Sequence, residues 1–171
     1  RLGIETEFLS GDWRSGVDAN RIEQRLRNDT GSSIKAVCCV HHETSCGITS
    51  DIRAVREAID SVGHPALLLV DSISGLASVD YEHDLWGADV TVSGSQKGLM
   101  MPPGLGFNAL SDRAIETAKK GGSKRSYWDW QDMLTANSSG YFPYTPATTL
   151  FYGLKEAIAM LEEEGLDNVF S

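Results

Sequence analysis

LLLVDSISGLASVDYEHDLWGADVTVSGSQKGLMMPPGLGF, residues 67–107, is the stretch around which the rest of the chain is read. Its apolar opening ends at Asp71, so a carboxylate emerges from a strand whose pattern is that of burial, where an unpartnered charge is costly. Farther on, Lys97 lies in the small-residue turn SGSQKGL, where no bulky neighbour keeps a ligand from its amine. A lysine held in a confined pocket is a candidate for Schiff-base chemistry with an aldehyde. Each residue also has an ordinary reading. Asp71 can cap the turn that follows, with Ser72 and Ser74 as local partners, and Lys97 can be a solvated turn lysine.

The flanking sequence supplies a framework for both. Residues 34–40 are a continuous apolar run with the pattern of a strand buried on both faces, residues 66–70 read as the next buried strand, residues 88–93 as a later one, and residues 104–110 can add another. Between them, residues 17–28 carry Ile22 and Leu26 four apart, and residues 50–62 carry Ile52, Val55 and Ile59 on one face, so both read as amphipathic helices. Asp18 is placed to start the first, and Ser50 or Asp51 the second. Residues 4–9, IETEFL, alternate apolar and polar and predict a further strand. Strands alternating with helices in short periods predict an α/β fold, a mostly parallel sheet with helices on both faces. Ligands of such sheets bind at the carboxyl ends of the strands. Thr44 in the polar segment HHETSCG (residues 41–47), Asp71 and Lys97 all fall at that edge.

The C-terminal third has a different texture. Residues 111–120 predict a short surface helix and residues 127–134, YWDWQDML, an aromatic-rich one; residues 136–148 read as an irregular connection. A stronger helix runs from Thr148 or Thr149 to Glu164 with Leu150, Leu154, Ile158 and Leu161 on one stripe, and Gly165 ends it.

Composition narrows the function classes. The 171 residues predict one domain, and 41% hydrophobic with 23% charged residues is an ordinary globular balance. A net charge of −9 argues against nucleic acid and against anionic membranes as partners. No apolar run approaches the roughly 20 residues of a membrane span, and the start RLGIETEFLSG lacks the pattern of a signal peptide. A cytoplasmic location is expected, with a peroxisomal one open for a eukaryotic protein. Cys38, Cys39 and Cys46 do not form a disulfide framework, and the first two read as buried thiols on a strand. No metal is expected: His41 and His42 are adjacent, His64 and His83 show no ligand spacing, and there is no CxxC pair. Glu43 and Glu82 form no obvious acid/base pair.

The segments HHETSCG, 67–106 and YFPYTPAT together resemble the class V aminotransferases of pyridoxal phosphate fold type I, and are most similar to the serine–glyoxylate and alanine–glyoxylate groups. Asp71, Lys97 and the intervening Trp86-Gly87-Ala88-Asp89 match as a set. The resemblance implies pyridoxal 5'-phosphate as cofactor. Lys97 would form the Schiff base and shuttle the proton, Asp71 would face the ring nitrogen, Thr44 would bond near the ring oxygen, and Gln96 would lie beside the phosphate. It further implies a homodimer with shared active sites, in which PYTP reaches the neighbour's phosphate through Thr145 or, next, Tyr144. Substrates would be a small amino acid, serine or alanine, and glyoxylate or a similar 2-oxo acid, in a ping-pong reaction. His42 stands where relatives often have a small or amide residue, and Cys46 where Thr or Ser is usual.

No upstream glycine-rich phosphate turn and no substrate-binding arginine of a C-terminal domain is visible in the sequence. Residues 1–171 are therefore expected to be the central part of the large domain, without its N-terminal segment and the small domain. Two alternatives stand beside this reading. One is a cysteine desulfurase-like lyase, weakened because Gln96 rather than His precedes the lysine and all cysteines lie early. The other is a truncated, non-catalytic domain of the same fold.

Overall fold

The computed structural model describes residues 3–122, 125 and 127–171. Its order is α1 (Ala19–Arg27), β1 (Ala36–Val40), β2 (His42–Glu43), β3 (Ile48–Thr49), α2 (Ile52–Ser61), β4 (Leu67–Asp71), β5 (Val90–Gly94), β6 (Gly106–Leu110), α3 (Asp112–Lys120), α4 (Trp130–Asn137), α5 (Thr148–Glu164) and α6 (Leu166–Val169). The main sheet has the order β1-β4-β5-β6. β1, β4 and β5 run parallel, with Val40 beside Asp71 and Asp71 beside Val92; β6 pairs antiparallel to β5. The protein is thus α/β with a mostly parallel sheet.

Helix starts follow local chemistry. The Asp18 carboxylate accepts the Asn20 and Arg21 N–H groups at 3.0 and 3.3 Å, Asp51 accepts Ala54 N–H at 3.0 Å, and the Ser111 hydroxyl accepts Ala114 N–H at 3.1 Å. The apolar faces of α1 and α2 then meet the sheet. Ile22, Leu26, Ile52, Val55 and Ile59 pack with Cys39, Leu68, Val70, Trp86 and Ala88 in one cluster. Burial of each large aliphatic there contributes roughly 1.5–3 kcal/mol.

A second cluster bears directly on the Lys97 segment. Leu99 and Met101, from the loop after Lys97, pack with Ala157 and Leu161 of α5, beside Phe107, Leu150 and Leu154. Ile158, expected on the buried stripe of α5, is 43% exposed, and Ala157 is buried instead. The small side chain lets the helix approach the loop closely.

Asp89 ties three elements together. Leu68 N–H donates to its Oδ2 at 2.8 Å, and the Ser111 hydroxyl and Arg113 Nε donate to Oδ1, each at 2.9 Å.

Several expectations are corrected. Residues 4–9 form no strand: the segment has no neighbouring strand to bond, and it is tethered to α1 by the Arg25–Glu7 ion pair at 2.8 Å. Alternation without a partner does not make a ladder. Strand β1 buries one face more than the other: Cys39 packs in the cluster with α1 and α2, while Cys38, on the opposite face, is exposed. Burial pushes the Cys39 thiol up to about 12. The polar segment after β1 contains a small antiparallel pair, His42–Glu43 with Ile48–Thr49. Gly47, at φ +66°, makes the reversal possible. The aromatic-rich helix begins later than expected, at Trp130, and is capped by Asp129.

Candidate active site

The carboxyl ends of β1, β4 and β5 lead into three short segments, whose Thr44, Ser74 and Lys97 side chains meet. Thr44 sits in the reversal between β2 and β3, on the segment that follows β1. Asp71 is the last residue of β4 and opens a compact turn: Ser72 C=O accepts the Gly75 and Leu76 N–H groups at 3.1 and 2.9 Å. Lys97 follows β5 and opens the turn in which Met100 N–H donates to Lys97 C=O at 2.8 Å.

Ser74 joins these segments. Its Oγ lies 2.5 Å from Thr44 Oγ1 and accepts from Lys97 Nζ at 3.4 Å. Thr44 and Lys97, far apart in sequence, thus share one hydroxyl. Asp71 Oδ1 accepts the Ile73 N–H at 2.9 Å, so the carboxylate caps the turn that carries Ser74. The partner is a backbone group, not the Ser72 or Ser74 hydroxyl. Oδ2 has no hydrogen-bond partner among the described residues.

Glycine and serine fix the approach of the two turns. A Cβ on Gly98 would stand 2.6 Å from both the carbonyl carbon of Ala77 and the hydroxyl of Ser78, so only glycine lets the Lys97 turn close on the Asp71 turn. Ser95, fully buried, ties the loop at its base: its hydroxyl donates to Pro102 C=O at 2.8 Å and accepts Leu105 N–H at 3.2 Å.

His41 lies under the same turn, 1% exposed, with Tyr81 and Trp86 rings at 4.8 and 5.6 Å. Burial lowers its pKa from the ordinary value and His42 adds to the effect, which favours the neutral ring. His42 Nδ1 is 2.8 Å from Thr49 Oγ1 across the β2–β3 pair.

Gln96 is exposed beside Lys97 and folds back, so that a Cβ on Gly94 would meet its Oε1 at 2.9 Å. Tyr144 stacks on Tyr127 with centroids 4.6 Å apart. Thr145 is exposed in an open depression lined also by Phe142, Pro146 and Phe151. Among the described residues, no hydrogen bond links Thr145 to Thr44, Asp71 or Lys97. Ser74 was missed as a functional residue; the only sequence signal was a second hydroxyl shortly after the strand-end acid.

Such a set offers an amine, a carboxylate with one uncommitted oxygen, and a pair of hydroxyls at the edge of a parallel sheet. The family model described as Aminotransferase class-V matches residues 1–171. The chain belongs to that family.

Among class-V aminotransferases, the serine–glyoxylate aminotransferase of Methylorubrum extorquens is 47% identical over 175 residues, covering 99% of this chain and 44% of that protein. The L-aspartate–glyoxylate aminotransferase of Paracoccus denitrificans is 42% identical over 171 residues, covering 100% of this chain and 43% of that protein. The crystal structure of an alanine–glyoxylate aminotransferase from a Nostoc species superposes with a TM-score of 0.81 at 31% identity, covering 95% of this chain and 42% of that one. The chain therefore spans less than half the length of these relatives.

Proposed function

We propose that the whole protein is a pyridoxal phosphate-dependent transaminase that moves an amino group from a small amino acid, serine or alanine, to glyoxylate or a similar 2-oxo acid. The observation that carries this reading is the meeting of Thr44 and Lys97 at Ser74, on the turn that Asp71 caps. The donor set fits the cofactor. Asp71 Oδ2 is an uncommitted anionic acceptor for a ring cation, the Thr44 hydroxyl suits a ring oxygen, and the Lys97 amine is exposed to an aldehyde. Pyridoxal phosphate, when bound, supplies that aldehyde and a protonated ring that withdraws electrons from the substrate carbon.

The chain's own residues have distinct tasks in this reading. Asp71 holds the ring nitrogen in its protonated form, as an opposite charge favours the charged state. Thr44 orients the ring through its oxygen, and Gln96 contributes to holding the phosphate. Lys97 Nζ would take the proton from the substrate α-carbon and hold it for return, a role that needs an amine placed within about 3 Å of the carbon. The residues at Lys97 give the lyase alternative no support, as Gln96 and not a histidine precedes it.

The reading extends to assembly. Residues 1–171 form the central part of the large domain, and two copies of the whole protein share their sites, with Thr145 and Tyr144 of one reaching the phosphate in the other. Exposure of Tyr144 and Thr145 supports this.

The test is a transamination assay on the whole protein saturated with cofactor, with serine, alanine and aspartate as donors and glyoxylate as acceptor. Glycine formation with parallel double-reciprocal lines for donor and acceptor is expected, abolished in Lys97→Ala. No glycine with any donor would overturn the proposal.

A further inference from the structure

We propose that Ser74 is the positioning residue for Lys97, its hydroxyl holding the lysine amine at a fixed place beside Thr44. This rests on the transaminase reading for its catalytic consequence, but not for its geometry.

Ser74 is equipped for two partners. A serine hydroxyl has one hydrogen and two lone pairs, so it can accept from Lys97 Nζ and still exchange a hydrogen bond with Thr44 Oγ1. Both contacts are present, at 3.4 and 2.5 Å. Lys97 needs such a partner more than most residues at a site would. Its stem is flexible, carries about 2 kcal/mol of rotamer entropy, and is exposed among the described residues. No other hydrogen bond to Nζ exists among the described residues.

The position of Ser74 is itself fixed from three sides. From before, Asp71 caps the turn through Ile73 N–H. From below, buried Gly75 rests on the His41 ring so closely that a Cβ there would stand 3.1 Å from Cε1 and closer still to Nδ1. That ring is held by Tyr81 and Trp86, and its Nδ1 has no hydrogen-bond partner among the described residues. Packing alone therefore sets it as a platform. From the far side, Gly98 brings the Lys97 backbone against Ala77 and Ser78 of the same turn. The amine and the hydroxyl are thus mounted on backbones locked to each other.

Positioning matters at one moment of the reaction. The Lys97 amine would have to stay where it can accept the substrate α-proton. A loose amine would sample many rotamers, and misplacement by about 1 Å can cost on the order of 100-fold in rate. Ser74 limits that loss.

The test compares Ser74→Ala and Ser74→Thr with the wild type in two measurements. In cofactor-free protein, Lys97 is reductively methylated with formaldehyde and cyanoborohydride, and its extent at short times is read by peptide mass spectrometry against the exposed Lys155. Release of the hydrogen bond in Ser74→Ala should speed methylation at Lys97 about threefold with Lys155 unchanged, and Ser74→Thr should match the wild type. In the cofactor-loaded protein, kcat should fall about tenfold in Ser74→Ala with KM within about twofold, and Ser74→Thr should restore it. Unchanged Lys97 methylation in Ser74→Ala overturns the proposal, whatever happens to turnover. A loss of kcat that Ser74→Thr does not restore overturns it too, since that is the mark of a merely structural role. If the wild type itself performs no transamination, the transaminase reading fails separately, and the methylation comparison still decides whether Ser74 holds Lys97.

Discussion

Gly98 backs onto Ala77 so closely that a Cβ at Gly98 would stand 2.6 Å from the Ala77 carbonyl carbon. Ala77 itself has φ +58°, a conformation that a non-glycine residue holds only when its surroundings enforce it. The two turns that present Lys97 and Ser74 are therefore one packed unit. Replacing Gly98 by alanine forces backbone apart, and overpacking of this kind costs about 1–3 kcal/mol. Urea denaturation should show that loss, together with weaker cofactor binding. Wild-type stability and affinity in Gly98→Ala would mean that the turns are free to separate.

Asp71→Asn separates function from stability. The amide oxygen can still accept the Ile73 N–H, so the turn survives and stability should stay within about 0.5 kcal/mol of the wild type. What disappears is the charge offered by the carboxylate. Turnover should fall on the order of 10²–10³ in the transamination assay. A variant that keeps its turnover would remove Asp71 from the proposed ring contact.

A pH dependence follows from Asp89. Burial by itself raises its carboxyl, but the Arg113 guanidinium, the Leu68 N–H and the Ser111 hydroxyl outweigh it and hold the group below its ordinary value. A carboxyl with a depressed value in the folded chain contributes stability that is complete above its unfolded value of about 3.9. That contribution is lost as pH falls through the folded value. Asp89→Asn should therefore be less stable by about 2 kcal/mol at pH 7, with the gap from wild type closing in acid. Denaturation midpoints measured across that range check it; a gap that stays constant would show that Asp89 acts through shape and not charge.

The parts of this account that were legible in sequence are those governed by local rules. Helices α1, α2, α3 and α5 were marked by their caps and stripes, and the parallel strands by short apolar runs ending where a charge or turn began. Asp71 and Lys97 stood out for the same reason. Ser74 did not, because its role comes from a turn that is shaped by Gly75 on His41 and Gly98 on Ala77, contacts between distant segments that leave no periodic trace. The strand expected at residues 4–9 failed for the opposite reason: its alternation was visible, but the pairing that makes a strand depends on a neighbour that the pattern cannot supply. Cys38 was misplaced because an apolar run does not reveal which face of β1 the helices cover.

The central claim is that Lys97 carries the cofactor, and borohydride trapping tests it most directly. The whole protein is equilibrated with pyridoxal phosphate, reduced, digested and mapped by mass spectrometry. The account predicts a pyridoxyl group concentrated on Lys97 and lost in Lys97→Ala, with the exposed Lys119, Lys120 and Lys155 essentially unlabelled. No label under saturating cofactor, or label spread among surface lysines with none favouring Lys97, would contradict it.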